Sequence, residues 1–189
     1  MKSFIEIYDG ALSEKDCEIL ISQFEKSPRS PGTVYAHGSN DPSVDPVAKK
    51  SIELVSPKFC KRDVISNTIR SALKPCLNRY KDTYGLADKN GEVNWHIDDS
   101  YTFQKFESED DGFKVWHQEH GPGALSKRFL VWMFYLNNAQ SGTDFKYFPT
   151  TPPKVGRCVV WPAGFPYIHR SHPNKGLKFI VSGWASYLY

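Results

Sequence analysis

The segment Trp116 to His120, with sequence WHQEH, places a histidine and a glutamate one residue apart. Imidazole and carboxylate groups both bind divalent metals, and side chains two positions apart in a strand point to the same face. His117 and Glu119 would then lie roughly 6.6 Å apart along the backbone and could share one ion. Two histidines and one carboxylate leave three adjacent positions open on an octahedral metal, a geometry associated with Fe(II) enzymes that bind a cosubstrate and O₂. The segment therefore predicts two ligands of such a site, and the third must be a histidine from a distant strand.

The HxE spacing alone is a weak indication of a metal site, because an acid often follows a histidine by chance. A second match, His96 and Asp98 in WHIDD, illustrates this. Three histidines could complete the ligand set: His169, His172 and His120. From the residues alone these alternatives stay open.

The first half of the chain predicts two helices and a long loop. Residues 13–28 open with a serine followed three residues later by an aspartate, a possible N-terminal cap, and carry apolar residues at helical spacing. Residues 63–84 repeat that spacing, with Pro75 expected to kink or divide the helix. Between them, the stretch 28–48 is rich in proline and glycine, so we expect a long loop of the kind that often forms a lid or a binding loop.

The second half, from Tyr101 onward, predicts a β-rich core. Short β-prone runs are separated by glycine, proline, asparagine and aspartate. The runs are YTFQKF, FKVWHQ, RFLVWMFYLNN, TDFKYF, RCVVWP and KFIVSGWASY. Six strands after two helices predict an α+β, mainly β fold, a curled β sandwich with the N-terminal helices packed on one sheet.

Composition limits the class of protein and its partners. The 189 residues, 40% of them hydrophobic, suit one globular domain spanning 1–189. The net charge of +3 is spread along the chain, so we expect no nucleic-acid and no membrane partner, and the sequence carries no signal of oligomeric state. No apolar run approaches the roughly 20 residues of a spanning helix, and the start lacks a signal-peptide pattern, which predicts a cytoplasmic protein. The four cysteines lack CxxC spacing and are expected to be free thiols: Cys17, Cys60, Cys76 and Cys158.

The order of motifs after position 101 resembles the Fe(II)/2-oxoglutarate dioxygenases of the prolyl 4-hydroxylase-like superfamily. The motifs are WHQEH, YLNN, GTDF, RCVVWPAG, YIHRSHP and LKFIVSGW. The similarity covers roughly residues 101–187 and is greatest for a small marine phage and bacterial branch that carries WHxE where animal and plant prolyl hydroxylases carry HxD. The resemblance implies a double-stranded β-helix, or jelly-roll, as the catalytic core at 100–189, with helical support from 1–90.

The resemblance also implies roles for individual residues. The first histidine and the acid of the family fall on His117 and Glu119, and the distal histidine falls on His169, which RSHP follows. The basic residue that binds the far carboxylate of 2-oxoglutarate falls on Lys178, one residue closer to the distal histidine than we expect. Ser182, further along the same strand, is a weaker candidate for a hydroxyl contact with the cosubstrate.

Charge and strand alternation agree with this role for Lys178. Iron at +2, Glu119 at −1 and 2-oxoglutarate at −2 leave one excess negative charge, which a lysine would cancel. Alternation in KFIVSGW places Lys178, Ile180, Ser182 and Trp184 on one face, so the lysine can point inward. Without the resemblance, a solvated surface lysine would be the ordinary interpretation.

Two positions depart from the family pattern. Many prolyl hydroxylases place a tyrosine before HxD to help hold 2-oxoglutarate, whereas this chain has Phe106. Tyr101, Tyr135 and Tyr147 are possible replacements, and the sequence selects none of them. Glu119 in place of aspartate lengthens the ligand arm but keeps the charge, which argues for hydroxylation, because halogenating relatives lack this carboxylate.

The implied activity is that of a hydroxylase that uses Fe(II), 2-oxoglutarate and O₂, with ascorbate as a further candidate cofactor. The leading prediction is a prolyl 4-hydroxylase-like activity on a peptide or protein, with Tyr35 and His37 of the 28–48 loop in a peptide groove. Arg170, next to His169, is expected to face away from the metal and to contact substrate or solvent. Hydroxylation of a free amino acid or another small molecule, and a non-catalytic metal- or ligand-binding module on the same scaffold, are the alternatives.

Overall fold

The computed structural model describes residues 3–35, 41–86 and 94–188. Within these ranges it contains two α-helices, α1 (Glu14–Lys26) and α2 (Val64–Tyr84), and one 3₁₀ helix, Gly123–Lys127. The strands are β1 (Glu6–Tyr8), β2 (Arg29–Pro31), β3 (Val34–Tyr35), β4 (Pro42–Ser43), β5 (Lys49–Lys50), β6 (Ile52–Leu54), β7 (Trp95–Phe106), β8 (Gly112–Phe113), β9 (Arg128–Tyr135), β10 (Thr143–Phe145), β11 (Cys158–Pro162), β12 (His169–Ser171) and β13 (Lys178–Tyr187).

The main sheet has seven strands in the order β1-β11-β9-β13-β7-β6-β2, and every neighbouring pair is antiparallel. At its centre Lys178 of β13 lies opposite Phe106 of β7. Ile180 lies opposite Gln104 on one side and Tyr135 on the other. These pairs place the inward-facing residues of three strands in rows across one face of the sheet.

The helices pack on the other face of the main sheet. Helix α1 begins with the predicted cap: Ser13 accepts a hydrogen bond from the backbone N–H of Asp16, whose carboxylate accepts one from the N–H of Ser13. Its buried side chains Leu20 and Phe24 join an apolar cluster with side chains of the central strands, Phe179 among them. The predicted α+β, mainly β fold with helices on one sheet is therefore confirmed.

Helix α2 runs through Pro75 as one continuous helix, so the proline does not divide it. The residues on either side, Leu73 and Leu77, are buried against the sheet, and this packing offsets the hydrogen bond that proline cannot donate. Neither α1 nor α2, the two α-helices of the described ranges, has the length and apolar character needed to cross a membrane.

A second, discontinuous layer covers the inner face of the main sheet. It consists of the antiparallel pairs β10–β12 and β5–β8, and contacts between β8 and β12 link them. A second apolar cluster, the inner cluster, lies between the layers. Its buried members are Phe106, Val131, Met133, Tyr135, Phe145, Val159, Trp161, Ala163, Tyr167 and Ile180.

Several short segments differ from the sequence prediction. The predicted strand FKVWHQ is mostly wrong, because β8 ends at Phe113 and only an isolated bridge at His117 follows. Strand β7 begins at Trp95, earlier than predicted, and includes WHIDD. The 28–48 stretch is not a continuous loop, because it contains the short strands β2, β3 and β4. Strands of two or three residues are too short to show a periodic pattern, and their pairing is decided by distant partners. Tyr35 lies in β3, whereas His37 lies outside the described residues.

Candidate metal centre

Three predicted ligand residues meet beneath the inner face of the sheet. The ligand atoms of His117, Glu119 and His169 all lie within 4.8 Å of one another. Glu119 Oε1 is 3.5 Å from Nε2 of His117 and 3.7 Å from Nε2 of His169. No other set of three or more metal-ligating side chains comes this close in the described part of the chain. The arrangement is suited to one metal ion bound by two imidazoles and a carboxylate.

Backbone hydrogen bonds bring the three residues together. His117 and His169 form an antiparallel bridge, with N–H to O distances of 3.0 and 2.8 Å in the two directions. The backbone N–H of Glu119 donates to the carbonyl of Ala163, just after β11, at 3.0 Å. The site is thus fixed by main-chain contacts among three separate segments, although the segment that carries HxE is not a regular strand.

Both imidazoles are held in one orientation. Nδ1 of His117 lies 3.0 Å from the carbonyl of Val115, and Nδ1 of His169 lies 2.9 Å from the carbonyl of Tyr167. A carbonyl only accepts hydrogen bonds, so each Nδ1 carries the proton and each Nε2 presents its lone pair to the cluster. Burial lowers the pKa of His117, and the neighbouring His169 lowers it further. A neutral imidazole is the form that binds a metal.

The second oxygen of Glu119 is held by two donors that the sequence did not indicate. Arg128 Nη1 donates to Oε2 at 2.8 Å, and the indole N–H of Trp184 donates to it at 2.9 Å. The guanidinium lies 3.6 Å from the centre of the Trp184 ring. Burial raises the pKa of Glu119, but contacts with the two histidines and the charge of Arg128 outweigh it and hold that pKa well below its usual range. The carboxylate is therefore ionised, with Oε1 facing the histidines.

A cavity of about 380 Å³ opens beside the three ligand residues. Val131, Met133 and Trp161 of the inner cluster form an apolar part of its wall. Ser182 and its neighbours Ile180 and Trp184 also line it, whereas Phe179 and Val181 pack toward the helices, as strand alternation predicts. The wall of the cavity therefore combines an apolar part with polar and charged side chains.

Lys178 lies buried near this wall, and only 2% of its surface is exposed. Its Nζ is 4.6 Å from the centre of the Phe106 ring, and Phe106 lines the cavity. Within the described ranges the ammonium group of Lys178 forms no hydrogen bond and no ion pair. Burial lowers the pKa of Lys178 to about 8. A buried ammonium without an acidic partner is costly, so this position favours binding of an anion.

Comparisons with known proteins identify the architecture. No family model and no curated protein matches the sequence. Among solved structures, a viral collagen prolyl hydroxylase of Paramecium bursaria Chlorella virus-1, in its 2-oxoglutarate complex, is 18% identical, with a TM-score of 0.65 over 99% of this chain and 97% of that chain. A prolyl-4-hydroxylase of Pseudomonas putida is 11% identical, with a TM-score of 0.68 over 98% and 94% of the two chains. The chain has the fold of the Fe(II)/2-oxoglutarate oxygenases.

A third structure extends this likeness. A prolyl hydroxylase of Trichoplax adhaerens, in complex with a peptide fragment of the hypoxia inducible factor oxygen degradation domain, is 13% identical, with a TM-score of 0.68 over 98% of this chain and 84% of that chain. The double-stranded β-helix expected from the motif order is therefore confirmed. In the oxygenase fold, the main sheet and the broken second layer are the two sheets of the jelly roll.

The three tyrosines that could replace the missing hydroxyl at position 106 lie in different surroundings. The hydroxyl of Tyr135 is hydrogen-bonded to Oγ1 of Thr143 at 2.7 Å, and Thr143 lines the cavity of the oxygenase fold. Tyr101 lines the cavity, although its ring packs against Phe59, with ring centres 4.8 Å apart, and belongs to the cluster on the helix side. Tyr147 is 54% exposed. Tyr135 is not itself among the described residues that line the cavity, and it is linked to the cavity through Thr143.

The other histidines of the described ranges, His96, His120 and His172, are not part of this cluster. His172 is paired with Asp144 at 2.9 Å, and Nδ1 of His120 faces the carbonyl of Arg128 at 3.2 Å. His96, in β7, is exposed. Arg170 lines the cavity beside the three ligand residues, and its guanidinium lies over the ring of Trp116. The HxD match in WHIDD is thus separate from the metal-binding arrangement.

The indole of Trp184 gives a test of how Glu119 is held. We expect Trp184→Phe to weaken metal binding by about 10- to 100-fold, because the carboxylate loses a donor that fixes its orientation. Trp95→Phe is the matched control, since Trp95 packs against Phe129, with ring centres 5.9 Å apart, and does not line the cavity. Titration with Fe(II) under argon would measure both variants. Equal affinities for the two variants would contradict a positioning role for Trp184.

Proposed function

We propose that this chain is an Fe(II)- and 2-oxoglutarate-dependent oxygenase that hydroxylates its substrate. The convergence of His117, Glu119 and His169, with both imidazoles held through Nδ1, carries this proposal. Two neutral imidazoles and one carboxylate fit Fe(II) and leave three positions free. A bound Fe(II) would supply O₂ activation, coupled to the conversion of 2-oxoglutarate to succinate and CO₂.

In this proposal Lys178 binds the far carboxylate of 2-oxoglutarate. The ammonium is buried and has no acidic partner within the described ranges, so a carboxylate ligand would satisfy it. The hydroxyls of Thr143 and Ser182, which line the cavity, are the groups proposed to donate hydrogen bonds to the cosubstrate, and the hydroxyl of Tyr135 supports Thr143 at 2.7 Å. The apolar wall would exclude water from the reacting groups.

The leading substrate in this proposal is a proline within a peptide or protein, a prolyl 4-hydroxylase-like activity. The three structures compared above are prolyl hydroxylases, and one of them holds a peptide. A second hollow of about 640 Å³ adjoins the cavity and shares Tyr35, Phe113 and His117 with it, so an extended chain could pass the metal centre. A free amino acid or another small molecule is the alternative substrate, because fold alone does not fix the substrate.

We also propose a reducing, cytoplasmic setting and ascorbate as an assay component. All four cysteines are unpaired, in keeping with a reducing compartment: Cys17, Cys60, Cys76 and Cys158. Ascorbate would keep the iron in the ferrous state during turnover.

Spectroscopy under argon tests the proposed class of enzyme. We expect Fe(II) and 2-oxoglutarate together to produce a weak visible charge-transfer band that neither produces alone. On admission of air the protein should release succinate. Protein that stays colourless with both ligands and releases no succinate would be a binding module and not an oxygenase.

Mass spectrometry tests the substrate separately. A panel of proline-rich peptides, and free L-proline beside them, would be incubated with the protein, iron, 2-oxoglutarate and ascorbate. A gain of one oxygen on a peptidyl proline is the expected result. Oxygen gained on the free amino acid alone would move the assignment to a small-molecule hydroxylase, and a positive succinate test without either product would exclude both substrates.

A further inference from the structure

The charged residues on the cavity wall are almost all paired with one another. Five charged residues line it: Lys49, Glu53, Glu119, Arg128 and Arg170. Lys49 Nζ lies 2.6 Å from Oε1 of Glu53, and Arg128 Nη1 lies 2.8 Å from Oε2 of Glu119. These two contacts account for both acids on the wall. Arg170 is the charged residue left without an acid among the wall residues.

Arg170 is held in place by contacts that leave its outer nitrogens free. Its guanidinium carbon lies 4.4 Å from the centre of the Trp116 ring. Its Nε forms an ion pair with Oδ2 of Asp144 at 3.6 Å, but this distance is too long for a hydrogen bond and the buried Nε has none. Asp144 is already bonded to Thr150 and His172. Neither terminal nitrogen of Arg170 has an acceptor within the described ranges, although each can donate two hydrogen bonds.

The charge of the loaded cavity also favours an anion beside Arg170. The charges of Fe(II) and 2-oxoglutarate cancel each other, and each of the two ion pairs on the wall is neutral by itself. The charge balance predicted from the sequence has Lys178 cancel the negative charge of Glu119. Arg128 already neutralises Glu119, so that balance omits one positive charge. Lys178 and Arg170 add two positive charges, of which Asp144, 3.6 Å from Arg170, cancels one. The loaded cavity keeps one positive charge, which attracts a negatively charged substrate.

We propose that Arg170 binds a carboxylate of the substrate, so that the preferred substrate carries a free acid group close to the carbon that reacts. This inference rests on the proposed function. A guanidinium stacked on an indole has lost much of its freedom before binding, and its two outer nitrogens match the two oxygens of a carboxylate. The acid is either the main-chain carboxylate of a free amino acid or an acidic side chain in a peptide. Because Arg170 lines the same cavity as His117, Glu119 and His169, the acid would be held in the cavity that contains the metal centre.

Pairs of acids and neutral amides provide the test. The protein, loaded with Fe(II) and 2-oxoglutarate under argon so that no turnover occurs, would be titrated calorimetrically with propionate and propionamide. L-proline and L-prolinamide form a second pair. An acetylated, amidated proline–glutamate dipeptide and its proline–glutamine counterpart form a third. We expect at least one acid to bind about tenfold or more tightly than its amide, and propionate to bind measurably. Of the L-proline pair and the dipeptide pair, the one with the larger preference for the acid identifies the source of the carboxylate.

Two arginine variants decide whether Arg170 causes the preference. Arg170→Gln should reduce it to near unity, because the amide keeps hydrogen-bonding capacity but removes the charge. Arg70→Gln is the matched control: Arg70 stacks on Phe59 at 4.5 Å beside Asp99 and does not line the cavity, so its variant should keep the preference.

Two results would overturn the inference: no acid preference and no propionate binding in the parent protein, or a preference that survives in Arg170→Gln. Titration of propionate into the metal-free protein separates this inference from the proposed function. Failure to bind Fe(II) and 2-oxoglutarate would refute the oxygenase, while a preference for propionate that depends on Arg170 would still show an acid site.

Discussion

Replacing His169 with alanine is expected to abolish Fe(II) binding and, with it, the release of succinate. The imidazole Nε2 is one of three donor atoms within 4.8 Å of one another, and the two that remain are a poor site for a metal ion. We expect affinity for Fe(II) to fall by roughly a hundredfold or more, beyond the loss caused by removing a group that only orients a ligand. The backbone bridge between His169 and His117 does not depend on the side chain, so the fold should persist.

Thermal unfolding measures this loss without relying on activity. A metal that binds the folded state raises the unfolding temperature, and we expect this rise in the parent protein but not in His169→Ala. His172→Ala is the matched control, because His172 lies three residues away and is paired with Asp144. The control should keep the rise. If both variants are stabilised by Fe(II) as strongly as the parent, His169 is not a ligand.

Convergence of the metal-ligating residues shows what a local pattern can and cannot predict. HxE in WHQEH and HxD in WHIDD have the same spacing, and only the order of later motifs distinguished them. The expected strand around His117 is absent, yet its side chain meets that of His169 because one isolated backbone bridge joins the two segments. A single long-range pairing of this kind leaves no periodic signal in the sequence.

Arg128 and Trp184 were missed for the same reason. They reach Glu119 from positions 9 and 65 residues away along the chain, and neither belongs to a short motif with the ligand. Strand alternation did place Trp184 on the inner face, but it could not indicate that the indole N–H donates to a carboxylate. Contacts that hold a ligand residue in place depend on strand order across the sheet, which is set by long-range pairing.

Elements with a long periodic pattern were predicted well, and short ones were not. The helix around Leu20 and Phe24 buries one face, and the strand that begins at Lys178 is buried on both faces; each is long enough for its apolar residues to form a clear pattern. Strand β6, by contrast, has three residues, yet its Glu53 forms the partner of Lys49 on the cavity wall. Such short strands are stabilised by their neighbours in the sheet and not by their own composition.

Replacing Lys178 with methionine should weaken 2-oxoglutarate binding by about a hundredfold or more at neutral pH, while it stabilises the protein without ligand. Methionine fills a similar volume but carries no charge, so the cosubstrate would place a carboxylate in a buried site without a cation. In the protein without 2-oxoglutarate, the buried ammonium lowers the free energy of unfolding. Burial lowers its pKa to about 8, against roughly 10.4 in an unfolded chain, which corresponds to about 3 kcal/mol of lost stability at neutral pH.

The lowered pKa of Lys178 also makes the free energy of unfolding and the affinity for 2-oxoglutarate depend on pH. Between about pH 8 and pH 10.4 the unfolded chain holds the proton and the folded protein does not, so the free energy of unfolding should rise with pH in the parent. Lys178→Met should lack this contribution. Binding of 2-oxoglutarate requires the charged lysine, so its affinity should fall above pH 8, by up to about tenfold for each further pH unit.

Lys105→Met is the contrasting control, because Lys105 is paired with Glu25 and Glu107, each at 2.7 Å. Those carboxylates raise the pKa of Lys105, so its removal should destabilise the protein slightly and leave 2-oxoglutarate binding intact. Denaturant unfolding across the pH range and calorimetric titration with the cosubstrate distinguish the two lysines. Parent-like 2-oxoglutarate affinity in Lys178→Met would show that another group binds the far carboxylate, and Lys49, the other buried lysine near the metal centre, would be the next residue to replace.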